Sequence, residues 1–201
     1  MTQAKSQSVK PKFSTIEEYL DYDDGTDTRY ELVDGVLTEM PPESRLNQKI
    51  ASFLFGTFVR LGVPTQLLVI GVQIAVSSDK VTVRQPDFVV LSEECALALE
   101  GATTAVITRT MPPPGIVIEV VSPGEPESDN YQRDYVEKPR EYAARGIGEL
   151  WQVDPTRAIV TVLELVNGAY QSRPFSGNVQ VVSPQFPTLQ LSAAQILAAE
   201  S

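Results

Sequence analysis

The chain has 201 residues, 42% of them hydrophobic and 21% charged, with a formal net charge of −10 and no histidine. The lack of histidine removes Ser-His-Asp triads, Cys-His pairs and histidine-bound zinc, and leaves acid–base work to Asp, Glu, Lys, Tyr or water. The single cysteine, Cys95, cannot close an internal disulfide and fits a reducing cytosol.

No apolar stretch approaches the roughly 20 residues that a bilayer-spanning helix needs, so a cytoplasmic protein without a membrane partner is expected. Residues 1–13 are largely polar and read as a disordered tail, with a single domain from 14 to 201. The net charge argues against non-specific coating of nucleic acid, whose affinity comes from phosphate neutralisation. Locally the balance reverses: Ser44 to Gly62 holds Arg45, Lys49 and Arg60 and no acid.

Ser14 and Thr15 precede Glu17 and Glu18 at capping-box spacing, which predicts a short helix over Ile16 to Tyr22. Arg29 to Met40 reads as a β-hairpin turning at Asp34-Gly35. Leu46, Ile50, Phe53, Leu54, Phe58 and Leu61 recur at helical spacing. Gln66 to Val76 and Val81 to Leu91 read as two strands around a turn at Ser77 to Lys80. Ser92 caps a helix running to about Leu99, and the proline-rich 101–114 segment reads as a loop.

Ile116 to Val121 is continuously apolar apart from Glu119, the pattern of a strand covered on both faces. A helix is predicted from Tyr131 to Arg145, ending at Gly146. Glu149 to Val153 follows as a strand stopped by Asp154-Pro155. Asn167-Gly168 then joins Ile159–Val166 to Ala169–Arg173 in a second hairpin, and a short helix starts near Ser192. This order implies a mixed α/β sheet flanked by helices, with an N-terminal and a C-terminal hairpin.

Two residues break the apolar pattern. Asp87 lies in V-R-Q-P-D-F-V-V-L and Glu119 in P-G-I-V-I-E-V-V-S-P. A carboxylate among Val and Ile is costly to bury unless paired or metal-bound. Lacking histidine and thiolate clusters, the chain suits an oxygen-ligand ion, Mg²⁺ or Mn²⁺. Lys138, on the next helix, is the candidate for orienting water or stabilising developing charge. The bland readings are an Asp87 turn cap or Arg84 partner, a buried ion pair at Glu119, and a Lys138 paired with Glu137, Asp134 or Glu141. Trp151 is read as core or dimer interface and Cys95 as a small buried hydrophobe.

At these residues the chain resembles the PD-(D/E)XK nuclease superfamily. More closely, it is similar to a restriction endonuclease family first catalogued as a domain of unknown function. The matching strings run in order: T-I-E-E-Y-L from Thr15, R-Y-E-L-V-D-G from Arg29, Q-P-D-F-V-V from Gln85, I-V-I-E-V-V-S-P from Ile116, and E-K-P-R-E-Y-A-A-R-G-I-G-E-L-W-Q-V-D-P from Glu137. The resemblance implies a restriction-endonuclease-like fold and a metal-dependent DNA endonuclease, often homodimeric, with no nucleotide cofactor.

On that resemblance Asp87 and Glu119 are the metal ligands and Lys138 the catalytic lysine, since the superfamily's usual lysine position holds Val121. Glu31 matches a further acidic position that faces the site. Where the family often carries histidine, this chain has Asn47; Asn47 or Gln48 can hydrogen-bond water or phosphate but cannot act as a base. Pro139 requires the helix either to begin near Lys138 or to kink there. The alternatives to an active nuclease are a binding or regulatory module on the same fold, and a structural homo-oligomer.

Overall fold

The computed structural model describes residues 11–26, 28–76 and 80–200. Thr15 caps α1 (Ile16–Leu20) in a complete capping box with Glu18. β1 (Tyr30–Val33) and β2 (Val36–Glu39) form the N-terminal hairpin, with Asp34 at φ 51° and Gly35 at φ 77°. Residues 11–13, expected in the tail, lie against this hairpin instead. Lys12 bridges to Val36, and the Phe13 ring packs against Tyr19 and Tyr22. The remainder of the expected tail, 1–10, lies outside the described residues, as does 77–79 of the expected turn.

Ser44 caps α2 (Arg45–Arg60), whose buried stripe is Ile50, Ala51, Leu54, Thr57 and Phe58. The two long strands expected next are each cut in two. Gly71 takes the left-handed φ of +86°, open to glycine at little cost, and separates β3 (Leu68–Val69) from β4 (Gln73–Val76). Pro86 has no N–H to give a ladder, and it separates β5 (Thr82–Arg84) from β6 (Phe88–Val90). α3 (Glu93–Leu99) follows its Ser92 cap, and the expected loop beyond it contains one short strand, β7 (Val106–Ile107).

β8 (Ile116–Val120) is buried at every position. The helix after it begins as a capped turn, α4 (Asp129–Tyr131), widens to a π-helical turn at Gln132–Glu137 and continues as α5 (Lys138–Arg145). Lys138 donates its backbone N–H to Arg133, five residues back. The wide turn admits Pro139, which in a regular helix would clash with the carbonyl four residues before it. α5 thus begins at Lys138 and places the proline in its first turn, ending at Gly146 as expected. β9 (Glu149–Asp154), β10 (Ile159–Val166), β11 (Ala169–Ser176) and α6 (Ala193–Ala198) complete the chain.

The strands form two mixed sheets, not one. The first has the order β2-β1-β5-β4-β7 and the second β11-β10-β9-β8-β6-β3. Because of Gly71 and Pro86, the chain passes from one sheet to the other within each of the two expected long strands. On the second sheet, Phe88, Ile118, Trp151 and Val153 join α2 and α6 in one core. Val89, Val117 and Leu150 join Tyr142 of α5 in another. Both faces are therefore covered, which is why β8 reads as a continuous apolar run. Trp151 belongs to the core, 6.2 Å from Phe58 between ring centroids, and Cys95 is buried. Among the described residues no helix is long and apolar enough to cross a membrane.

Candidate active site

Asp87 sits at the seam, immediately after the proline that ends β5. The antiparallel register of β6 and β8 pairs Phe88 with Ile118 and Val89 with Val117. Extending that register by one residue sets Asp87 across from Glu119. Asp87 accepts a 2.7 Å hydrogen bond from the Val120 backbone N–H; no described residue donates to its other oxygen, and its side chain lines a cleft of about 360 Å³. Glu31, Arg84, Glu119, Arg133, Asp134 and Lys138 line the same cleft. A larger cleft, about 510 Å³, lies over Tyr19, Asp24, Tyr30 and Gln73 and contains neither Asp87 nor Glu119.

Glu119 is buried on the α5 side of β8. Lys138 Nζ donates to its Oε2 at 2.7 Å, and the Tyr142 hydroxyl donates to its Oε1 at 2.6 Å. Lys138 also lies 3.8 Å from both Glu31 Oε1 and Asp134 Oδ1. Asp134 is held in turn by the Ser122 backbone N–H at 3.0 Å. Glu31, on β1, accepts the Gln85 backbone N–H at 3.1 Å. The site is therefore assembled from β1, the β5–β6 crossing, β8 and the widened helix.

Arg84 is the main addition to the expected residues. It does not pair with Asp87. Its guanidinium holds Glu141 through two bonds of 2.7 and 2.9 Å, and reaches Glu31 at 3.3 Å and Glu137 at 3.2 Å. A bidentate Arg–carboxylate fork of this kind fixes geometry as well as charge, and here it ties α5 to the first sheet. Asp134, Tyr142 and Glu141 were likewise not expected at the site as such. One signal was available: Asp134, Lys138 and Tyr142 lie four residues apart, on one helical face.

The expected supporting residues divide. Glu31 lines the cleft, 3.8 Å from Lys138. Asn47 lines the cleft, but its side chain bonds the Ser44 hydroxyl at 2.6 Å as part of the α2 cap. Gln48 lines only a small adjoining pocket that includes Asp87. The basic residues of α2 do not converge on the cleft. Lys49 donates to the Ala198 carbonyl at the C-terminus, and Arg60 bonds Thr57 at the far end of the helix.

The electrostatics follow from burial and packing. Burial raises the Asp87 carboxyl to about 7, assisted by the charge of Glu119. Burial raises the Glu119 carboxyl as well, against the opposing pull of Lys138. Burial alone would lower the Lys138 ammonium, but Glu119, Glu31 and Asp134 together hold it above its usual range. Lys138 is thus a charged donor at neutral pH and not a proton acceptor. Arg84 is kept charged in the same way, chiefly by Glu141.

Among the described residues no group of three or more His, Cys, Asp or Glu side chains is set to hold a metal ion. The donors present are hard oxygens, and Mg²⁺ needs only one or two protein carboxylates because it retains several waters. Asp87 and Glu119 fit that requirement as a pair, provided the Lys138 and Tyr142 bonds to Glu119 rearrange.

The fold is shared with a solved structure. A crystal structure described as a putative nuclease belonging to DUF820, from Anabaena variabilis ATCC 29413, superposes with a TM-score of 0.70 at 17% identity, covering 92% of this chain and 98% of that one. The chain itself belongs to the Uma2 family, described as "Putative restriction endonuclease", which it matches over residues 16–194. No curated protein matches it.

Proposed function

We propose that this protein is a Mg²⁺- or Mn²⁺-dependent endonuclease that hydrolyses DNA phosphodiester bonds. The observation that carries the reading is the meeting of Asp87, Glu119 and a charged, buried Lys138 in one cleft at the seam of the two sheets. Asp87 and Glu119 would hold the ion, whose chemistry when bound is to polarise the phosphate and make a bound water more acidic. Lys138, held protonated by its carboxylate neighbours, donates to a phosphate oxygen or to the attacking water as charge builds. Tyr142 fixes the rotamer of Glu119, and Arg84 fixes the helix that carries Lys138. Membership of a family described as "Putative restriction endonuclease" and a fold shared with a structure described as a putative nuclease support this reading.

The test is conversion of supercoiled plasmid to open circles with Mg²⁺ or Mn²⁺, abolished in Asp87→Asn and in Glu119→Gln. Failure to cleave with either ion, or cleavage that survives both substitutions, overturns it. A second reading, a binding module that keeps the fold, is favoured by one observation: both oxygens of Glu119 are already occupied. An ion that binds the native state raises its stability by mass action, about 2.7 kcal/mol at a hundredfold excess over Kd. A melting temperature unmoved by Mn²⁺ would favour this second reading.

A further inference from the structure

The cleft is lined by six acidic residues and three cations, Arg84, Arg133 and Lys138. A phosphodiester approaching it meets a field dominated by carboxylates, so an accessible cation matters. Two of the three are committed. Arg84, whose side chain is 1% exposed, is engaged by Glu31, Glu137 and Glu141. Lys138 is buried against Glu119. The Arg133 side chain, by contrast, is 32% exposed.

Its fork is also held in place. Nε and Nη2 of Arg133 donate to the two oxygens of Asp134 at 2.8 and 3.1 Å. Nη2 further donates to the Ser122 hydroxyl at 2.9 Å, and Nη1 to Asn130 Oδ1 at 3.3 Å. A guanidinium has five N–H groups, so one hydrogen on Nη1 has no partner among the described residues. Asp134 is itself fixed, because its carboxylate accepts from the Ser122 N–H and its backbone carbonyl accepts Gln152 Nε2 at 2.6 Å. Ser122 lies three residues beyond Glu119, so Arg133 is aligned with the end of the strand that carries the site.

We infer that Arg133 is the residue that contacts substrate phosphate in this cleft, donating from its Nη1 edge to a phosphodiester oxygen of the nucleic-acid strand beside Asp87 and Glu119. The inference rests on the nuclease reading above and adds the group that recognises the backbone. A planar fork held in advance by Asp134 loses little freedom on binding an anion. The contact is independent of base sequence, as phosphate contacts are.

The test compares Arg133→Ala, Arg133→Gln and Arg133→Lys in steady-state plasmid cleavage over a range of salt concentrations, with melting temperatures recorded for each. The Ala and Gln variants are expected to raise KM about tenfold with kcat within about twofold. The slope of log KM against log salt should fall by about 0.9, the signature of one lost phosphate contact on duplex DNA. Arg133→Lys should keep the salt slope. Unchanged KM and slope in both neutral variants overturn the inference and leave the nuclease reading intact. A fall in kcat and melting temperature with KM unchanged also overturns it, by making Arg133 a brace for the loop after β8. A wild-type protein that neither binds nor cleaves DNA overturns both.

Discussion

Lys138 donates from Nζ to Oε2 of Glu119 at 2.7 Å, and both groups are buried. Each charge is tolerated because of the other. Lys138→Met should therefore destabilise the protein by about 3–5 kcal/mol at pH 7, the usual cost of leaving one member of a buried pair behind. The loss should shrink at a lower pH, where Glu119, with its already raised affinity for protons, takes one up. Urea unfolding at the two pH values measures both effects. A loss below about 1 kcal/mol would mean that water reaches Glu119.

Asp87 gives the metal-free protein a pH dependence of unusual sign. Its carboxyl is raised from 3.8 to about 7 by burial and by Glu119. The native state therefore binds the Asp87 proton more tightly than the unfolded state does. That contribution to stability is fully present below about pH 4 and is lost as pH rises through about 7. At 1.36 kcal/mol per unit it amounts to about 4 kcal/mol. Asp87→Asn should remove this dependence. Mn²⁺ binding, which needs the carboxylate, should strengthen as pH rises to about 7 and release protons. Calorimetric titration in two buffers of different ionisation enthalpy reads that release, and a heat independent of buffer would contradict the assignment.

Arg84 joins the first sheet to α5 through Glu141. Arg84→Met alone should lower stability by about 3–5 kcal/mol, whereas Arg84→Met combined with Glu141→Leu should recover part of the loss, the remainder being held by buried Glu31, which also loses Arg84. Denaturant melts of the two singles and the double close the cycle. Strict additivity would show that the pair does not act as a unit.

The residues whose chemistry conflicts with their local string were legible in the sequence. Asp87 and Glu119 stand out against their apolar neighbours before any fold is known. The hairpins at Asp34-Gly35 and Asn167-Gly168, the capping box at Thr15 and the cap at Ser92 were equally local. Arg84 was in view only as a partner for Asp87, because its true partner Glu141 lies 57 residues away and meets it only once α5 crosses the first sheet. The division into two sheets was hidden for a similar reason. Gly71 and Pro86 mark breaks, but the residues on both sides of each break read equally as strand. β7, two residues in a proline-rich stretch, is defined only by its parallel pairing with β4. The helix around Pro139 shows the converse: the sequence posed the conflict, and the π-helical turn resolves it.

The seam at Pro86 bears on when the chain could become able to cut. Glu31 and Arg84 belong to one sheet, Glu119 to the other, and Asp87 to the connection between them, while Lys138 follows just over two-thirds of the way along the chain. No fragment containing only one of the sheets can hold the constellation, and a growing polypeptide lacks it until α5 has been made and docked. On the nuclease reading, a copy that stops short of α5, or whose α5 has come undocked, lacks the means to cut, so the fold itself acts as a safety interlock.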